Sequence, residues 1–232
     1  MNEVELGIFS TSLRGHSLKN FRKSKKAPTC FSNYKIDELR RIADKAKMKC
    51  PRILSFGSGI GVSLSGFRRS FKESKVTYVG LSDESIAFAK QESPGGEDYL
   101  LVKRCTISMP DASFDLAFAN CVFNQIPKED HHNWFKELHR VVKPGGKLVV
   151  FEHNPRNPFS VRMVDTPPSG ANVGLIGTPE LKQTVLAAGW DGVKIDYHVY
   201  FPAMFAKLRP LGRGLRWWGF SRQYIAVAER WV

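Results

Sequence analysis

Short apolar runs alternate with amphipathic segments along most of the chain. Apolar positions 36, 39, 42, 43 and 46 share one helical face, which predicts a helix over residues 37–48. Residues 114–120 form an apolar run typical of a strand that is covered on both faces. The same patterns predict further strands over 52–56, 75–81, 99–102, 147–152, 193–200 and 223–229, and further helices over 62–71, 84–92, 131–141 and 179–188.

This alternation predicts an α/β fold with a doubly wound, mostly parallel sheet and helices on both faces. Ligands bind to such sheets in a crevice beyond the carboxyl ends of the strands. Five segments are expected at those ends, namely the loop after residue 56, residues 81–82, the segment after 102, residues 120–121 and residues 152–153. We expect one domain over residues 37–232, a basic N-terminal arm over 1–36, and an insertion at 201–220.

The loop after the first predicted strand is rich in glycine. Gly57, Gly59 and Gly61 form a G-x-G-x-G turn. Glycines let the backbone approach a ligand that any side chain would block, and the following helix directs its N–H groups at the same place. A turn of this kind also occurs where a strand and a helix only pack closely, so both interpretations stay open at this point.

Charge changes the picture, because the chain has a net charge of +13. This positive charge suggests an anionic partner, and the candidates are nucleic acid, a membrane surface and a charged substrate. A solvated basic surface is the alternative. Residues 6–36 hold seven Lys or Arg and no acid, and residues 201–220 combine two Trp, three Phe and four Lys or Arg. The second segment suits an anionic membrane surface, a lipid-linked substrate or single-stranded nucleic acid, and the alternative is a lid whose aromatic residues pack on the sheet.

Cysteine usage and apolar run lengths bear on location. Cys30, Cys50, Cys105 and Cys121 are widely spaced, which predicts reduced thiols and no metal site. No apolar run approaches the roughly 20 residues of a membrane span, and residues 1–10 lack a signal-peptide pattern. We expect a cytoplasmic protein, with peripheral membrane contact as an open alternative.

Four strings occur in a specific order: ILSFGSGIG, VTYVGLSDESIAFAK, SFDLAFANCVFNQIP and ELHRVVKPGGKLVVFEHNP. In this combination the chain resembles the class I S-adenosylmethionine-dependent methyltransferases over about residues 50–155. The string FEHNPRNP also resembles a bacterial subgroup of sugar, exopolysaccharide and natural-product pathways. The resemblance implies a seven-stranded sheet whose last strand is antiparallel, S-adenosylmethionine as cofactor, and methyl transfer to a nucleophile.

The resemblance also implies which residues surround the cofactor. They are Ser55, Phe56, Gly57, Ser58, Gly59, Leu81, Ser82, Arg104, Cys105, Thr106, Asn120 and Cys121. The family usually has acids on the first strand, after the second and after the third, where this chain has Ser55, Ser82 and Lys103. Asp83 lies one position after Ser82 and is a candidate to replace the second acid. Each lost charged hydrogen bond costs roughly 1.5–3 kcal/mol, so the three changes are expected to weaken cofactor binding.

His153 is the predicted general base, because it follows the fifth strand at the crevice mouth. Glu152 is expected to orient it or to pair with a cation, and Asn124, Gln125 and Asn154 are expected to contact substrate. The alternative for His153 and Asn154 is a capping role in the loop before Pro155. Tyr34 is a candidate to fold over the cofactor, and His131 and His132 are expected at the surface.

The sequence thus predicts an S-adenosylmethionine-dependent methyltransferase that acts on a small-molecule or lipid-linked acceptor, with transfer to oxygen. A catalytically degenerate methyltransferase-like binding module, in an RNA–protein assembly, is the alternative that the missing acids and the charge support. An active RNA methyltransferase ranks below both, because the catalytic cysteine and N-P-P-Y signatures of such enzymes are absent.

Overall fold

The computed structural model describes residues 29–57, 63–80, 97–102, 105–158, 160–161, 174–198 and 221–231, and the single positions 83, 86, 87 and 90. Its helices are α1 (Thr29–Lys45), α2 (Leu64–Ser70), α3 (Lys128–Val141) and α4 (Thr178–Ala187). Its strands are β1 (Ile53–Phe56), β2 (Val76–Gly80), β3 (Asp98–Leu101), β4 (Phe114–Asn120), β5 (Val142–His153), β6 (Asp191–His198) and β7 (Gln223–Glu229). A short 3-10 helix, Phe123–Gln125, follows β4.

The seven strands form one sheet in the order β3-β2-β1-β4-β5-β7-β6. Strands β1 to β5 pair in parallel, whereas β7 pairs antiparallel with both β5 and β6. Strands β2 and β3 are added on one side of β1, and β4 and β5 on the other side. The strand order therefore switches between β1 and β4, which is the point where such folds bind ligands. The predicted doubly wound, mostly parallel sheet with one antiparallel strand is confirmed.

Alternating residues of the strands divide the core into two faces. One face holds Leu54, Phe56 and Val150 and packs against α3 and α4. The opposite face holds Ile53, Phe118 and the apolar residues of α1 and α2. Because both faces are covered, β1 is buried throughout and β4 is buried at all but its second and last residues, as their apolar sequences predict.

Helix α1 begins eight residues before the predicted helix. Thr29 starts it, and Lys35, Ile36 and Leu39 are buried against the sheet. Packing of this face extends the helix into residues that the charge pattern assigned to a basic arm, so the expected division at residue 36 falls inside α1. Residues 1–28 of that arm, and the insertion at 201–220, lie outside the described residues.

Residues 143–146, with the sequence Lys-Pro-Gly-Gly, lie between the predicted helix over 131–141 and the predicted strand over 147–152, but they belong to β5. The pairing of β4 with β5 shifts there from Phe114 opposite Val142 to Leu116 opposite Lys147, so residues 143–146 form an irregular bulge. Gly146 is needed, because a Cβ there would lie 2.8 Å from the carbonyl oxygen of Lys143.

The other predicted elements agree with the structure to within about three residues at each end, except for the predicted helix over residues 84–92, which lies largely outside the described residues. None of the helices among the described residues is long and apolar enough to cross a membrane.

Candidate active site

The first glycine of the turn is fixed by packing as well as by backbone conformation. Gly57 has φ +65°, and a Cβ there would lie 2.0 Å from Cγ2 of Val122. Its N–H donates to the carbonyl oxygen of Val79, 2.9 Å away, which holds the turn against β2. The strand-to-loop turn therefore sits directly against the segment that follows β4. Ser58 and Gly59 lie outside the described residues.

The two cofactor candidates before Gly57 are internal to the sheet. Phe56 packs against the rings of Phe123 and Trp134 in the core. Ser55 is buried in the centre of β1, paired in register with Tyr78 and Phe118. The side chain of Phe56 therefore contributes to the core, and a direct contact of either residue with a cofactor stays a prediction.

A polar group of side chains lies at the carboxyl ends of β4 and β5 and at the start of β7. We call it the Lys35 cluster, and it consists of Lys35, Asn120, Cys121, His153 and Gln223. The ammonium of Lys35 donates to Oδ1 of Asn120 at 2.6 Å and lies 3.5 Å from Sγ of Cys121. The Gln223 amide nitrogen lies 3.3 Å from the same sulfur and 3.4 Å from Nδ1 of His153.

Three elements bring this cluster together. Lys35 projects from the buried face of α1 and is only 4% exposed, with its ammonium 5.6 Å from the ring centroid of Phe151. Cys121 turns the chain after β4 with φ 51°, and its N–H donates to the carbonyl oxygen of Phe151 at 2.8 Å. The antiparallel pairing of β5 and β7 sets His153 directly opposite Gln223.

His153 is held as a neutral imidazole at physiological pH. Desolvation lowers its pKa to about 4, opposed by the nearby Glu152 and reinforced by the charges of Lys35 and Arg222. The orientation of the Gln223 amide selects the tautomer: an amide N–H facing Nδ1 leaves the hydrogen on Nε2, and an amide oxygen facing Nδ1 leaves Nε2 free to accept a proton. The predicted base thus has a suitable charge state and a neighbour that controls its tautomer.

Glu152 does not orient His153 through a hydrogen bond. Its Oε1 accepts a hydrogen bond from the N–H of Phe123 at 2.9 Å, and its Oε2 is buried without a partner among the described residues. Neighbouring residues of a strand point to opposite faces of the sheet, so the two side chains diverge. Complete burial raises the pKa of Glu152 to about 8. The expected orienting contact is therefore replaced by Gln223, and Glu152 acts on His153 through its charge when it is ionised.

The 3-10 helix after β4 carries two predicted substrate residues in different environments. Asn124 is buried, and no described residue donates a hydrogen bond to its Oδ1, whereas Gln125 is exposed and donates to the carbonyl oxygen of Cys121 at 2.9 Å. His131, expected at the surface, is instead buried, and its Nε2 lies within hydrogen-bond distance of the carbonyl oxygens of Phe123 and Ile126. The α3 face that packs on this short helix explains the difference.

The remaining predicted residues lie around the crevice or apart from it. Asn154 braces the loop after β5, because its side-chain amide donates to Ser221 and its Oδ1 accepts from the N–H of Arg156. That geometry corresponds to the loop-capping alternative for Asn154. Cys105 is half-buried with φ 52°, and burial raises its pKa to about 11. Thr106 and Tyr34 are exposed, and Leu81, Ser82 and Arg104 lie outside the described residues.

Lys35 and Gln223 were not anticipated from the sequence. The signal for Lys35 was present, because a lysine stands on the apolar face of α1, four residues before Leu39. Gln223 had no sequence signal, since its role depends on the antiparallel pairing of β7 with β5.

Comparisons with known proteins agree with this architecture. Residues 54–150 match the family described as "Methyltransferase domain". A malonyl-[acyl-carrier protein] O-methyltransferase of Hahella chejuensis is 29% identical over 102 residues, which are 43% of this chain and 36% of that protein. A demethylmenaquinone methyltransferase of Chlorobaculum parvum is 33% identical over 114 residues, which are 49% of this chain and 46% of that protein. The chain thus spans less than half the length of these two relatives.

A solved structure extends the likeness to most of the chain. The S-adenosylmethionine-dependent methyltransferase of Archaeoglobus fulgidus superimposes with a TM-score of 0.64 and 16% identity, covering 85% of this chain and 94% of that one. At this identity the likeness establishes the fold. The chain therefore has the fold of the class I S-adenosylmethionine-dependent methyltransferases, and its residues 54–150 match their methyltransferase domain.

Proposed function

We propose that this chain is an S-adenosylmethionine-dependent methyltransferase that transfers a methyl group to an oxygen of a small-molecule or lipid-linked acceptor. The observation that carries the proposal is the position of His153. It lies, as a neutral imidazole, at the carboxyl end of β5 in a fold that binds ligands at that edge. An imidazole held there is suited to accept the proton of an acceptor hydroxyl.

The cofactor, when bound, supplies an electrophilic methyl group on a positively charged sulfur. The proposed cofactor residues that the structure describes at the strand ends are Gly57, Asn120 and Cys121. They fit this role in part: the turn at Gly57 carries no side chain, but the acid usual on the first strand is replaced by the buried Ser55. The predicted contacts from Ser58, Gly59, Leu81, Ser82, Arg104, Cys105 and Thr106 belong to the same proposal.

In the proposed reaction the acceptor oxygen forms a bond to the methyl carbon as the carbon–sulfur bond breaks. The proton of the acceptor hydroxyl passes to Nε2 of His153 in the tautomer that carries its hydrogen on Nδ1, which requires the side-chain amide of Gln223 to turn its oxygen towards Nδ1. Positioning of the acceptor supplies much of the rate, because methyl transfer needs no covalent intermediate on the protein. Asn124 and Gln125 lie on the segment next to Cys121 and are the proposed acceptor contacts.

The names of the relatives support an acceptor of this class. One acts on a malonyl group carried by acyl carrier protein at oxygen, and another acts on demethylmenaquinone, a quinone. The narrower assignment to sugar, exopolysaccharide or natural-product pathways rests on the FEHNPRNP string alone. A cytoplasmic location and a peripheral membrane contact through residues 201–220 also belong to the proposal.

Calorimetric titration with S-adenosylmethionine and with S-adenosylhomocysteine tests the proposal first. We expect micromolar binding of at least one, followed by transfer of a radiolabelled methyl group to members of a phenol and hydroxy-acid panel. Absence of binding at millimolar cofactor would overturn it.

A binding module without catalysis is the second candidate function. The observation that favours it is Ser55, because a buried hydroxyl in β1 cannot replace a carboxylate as the partner of an ammonium group. RNA binding whose affinity falls steeply with salt concentration, together with no cofactor binding, would support this alternative.

A further inference from the structure

The Lys35 cluster contains a cation that the proposed methyl transfer does not require. Lys35 is almost completely buried, and its ammonium is directed at the carboxyl ends of β4 and β5, where Asn120 accepts one of its hydrogen bonds at 2.6 Å. Burying a lysine ammonium is costly unless it is hydrogen-bonded or placed to interact with an anion. Its location beside the proposed base points to a role in the chemistry of the acceptor.

Resting on the proposed methyl transfer, we propose that the Lys35 cluster receives an acceptor with an acidic hydroxyl, such as a phenol or an enol, and that the Lys35 ammonium stabilises its oxyanion next to His153. Lys35 is then a specificity-determining residue, which selects acceptors whose reacting oxygen carries negative charge before the methyl group is transferred.

The geometry of the cluster supports this assignment. Asn120, Cys121 and His153 are each partly exposed, so a ligand can reach these three side chains. Lys35 is buried on α1 and contacts Asn120 and Cys121 with its ammonium. A lysine ammonium has three donor hydrogens but not the planar fork of donors of an arginine guanidinium. It therefore acts as a point charge, which suits a single oxygen.

The electrostatics of the cluster agree with an acidic acceptor. Burial lowers the pKa of His153, which makes its imidazole a weak base, and a weak base suits a hydroxyl that loses its proton easily. The other titratable groups around it are Cys121, Glu152, Tyr224 and Arg222. Burial raises the pKa of Glu152 and of Tyr224, so both are neutral at pH 7 and do not repel an oxyanion.

The pKa of bound 4-nitrophenol tests the inference without cofactor or turnover. Its anion absorbs visible light, so a pH titration of the phenol with saturating full-length protein reports the pKa of the bound phenol directly. An ammonium within about 4–6 Å lowers the pKa of an acid by roughly one to three units, so we expect a decrease of at least about one unit in the wild-type protein.

Three variants assign the effect to Lys35. Lys35→Met is expected to abolish the decrease, Lys35→Arg to retain most of it because the charge is kept, and Lys136→Met, on the exposed face of α3, to leave it unchanged. Thermal unfolding of each variant shows whether it is folded. If Lys35→Met fails to fold, Asn120→Asp replaces it, since a carboxylate beside the ammonium is expected to cancel the decrease.

The same variants separate this inference from the proposed function. Lys35→Met is expected to retain binding of S-adenosylhomocysteine, with a loss of less than about tenfold that reflects its hydrogen bond to Asn120. A loss of more than tenfold would assign the lysine to the cofactor and overturn the inference while leaving methyl transfer intact. The inference would also be overturned if the pKa of bound 4-nitrophenol were not lowered in the wild type, or if it were lowered equally in Lys35→Met. Absence of binding of both 4-nitrophenol and 4-cyanophenol at millimolar concentration would overturn it too. Cofactor binding by the wild-type protein is measured alongside and tests the proposed function alone.

Discussion

A carboxyl oxygen of Glu152, at the carboxyl end of β5, accepts a hydrogen bond from the backbone N–H of Phe123, 2.9 Å away. This contact joins the end of β5 to the short 3-10 helix that follows β4. Glu152 is completely buried, and its second oxygen has no partner within the part of the chain that the structure describes. The contact therefore couples the proposed acceptor side of the crevice to the ionisation of one carboxyl group.

Glu152→Gln is expected to change the pH dependence of stability. The pKa of Glu152 rises from 4.5 to about 8 on folding, so above pH 4.5 the unfolded chain loses a proton that the folded protein keeps. The contribution of Glu152 to the free energy of unfolding therefore falls by about 1.4 kcal/mol per pH unit as pH rises from about 5 to 8, and the stability of the variant relative to the wild type rises by the same amount. Urea denaturation at pH 5, 6.5 and 8 measures this difference. A constant difference between the two proteins over this range would contradict the burial argument.

His153→Asn is expected to have the opposite pH signature. The pKa of His153 falls from 6.5 to about 4 on folding, so below pH 6.5 the unfolded chain binds a proton that the folded protein excludes. Stability from this residue is present above pH 6.5 and is lost as pH falls to about 4. In the wild type, between pH 4.5 and 6.5, rising pH increases the contribution of His153 to stability and decreases that of Glu152, so the two effects oppose each other. Thermal unfolding of the variant in that range should show a gain relative to the wild type that grows with acidity.

The same substitution tests catalysis. If His153 takes the acceptor proton, His153→Asn should lower kcat by about 10²- to 10³-fold. The affinity for S-adenosylhomocysteine should stay within about threefold, because the proposed role of His153 is on the acceptor. His132→Asn, at an exposed position of α3, is the matched control and should keep wild-type kcat. An unchanged kcat in His153→Asn would remove the histidine from the mechanism.

Gly57→Ala is expected to destabilise the protein by at least about 3 kcal/mol. The new Cβ meets Val122 at 2.0 Å, and φ +65° is itself unfavourable for alanine. Gly192→Ala is the control, because its φ of +58° imposes the backbone cost with no atom within 4 Å. We expect it to lose only about 1 kcal/mol in the same denaturation experiment. Equal losses would show that the contact with Val122 relaxes without cost.

His131→Phe is expected to cost about 2–4 kcal/mol. The aromatic ring keeps its edge contact with Phe123, but the buried carbonyl oxygens of Phe123 and Ile126 lose their shared partner. His132→Phe, exposed one position further along α3, should change stability by less than about 0.5 kcal/mol. If both variants unfold at the same denaturant concentration, His131 does not hold the 3-10 helix in place.

Most of the sheet was predictable, because buried parallel strands require continuous apolar runs and the chain has them in sequence order. The strand β7 was predicted at its observed bounds, and β4 likewise. The start of α1 was not, because residues 29–36 become helical by packing Lys35 and Ile36 against the sheet rather than by local periodicity. The bulge at residues 143–146 was also missed, since its form depends on the neighbouring strand β4.

For the candidate site, the sequence by itself determined which segments reach the crevice: the turn at Gly57, the end of β4 and His153 at the end of β5. This follows because the direction of parallel strands places their ends on one edge. Only the tertiary structure decided which side chains meet there. Alternation along β5 separates Glu152 from His153, antiparallel pairing brings Gln223 to the imidazole, and packing of α1 delivers the ammonium of Lys35.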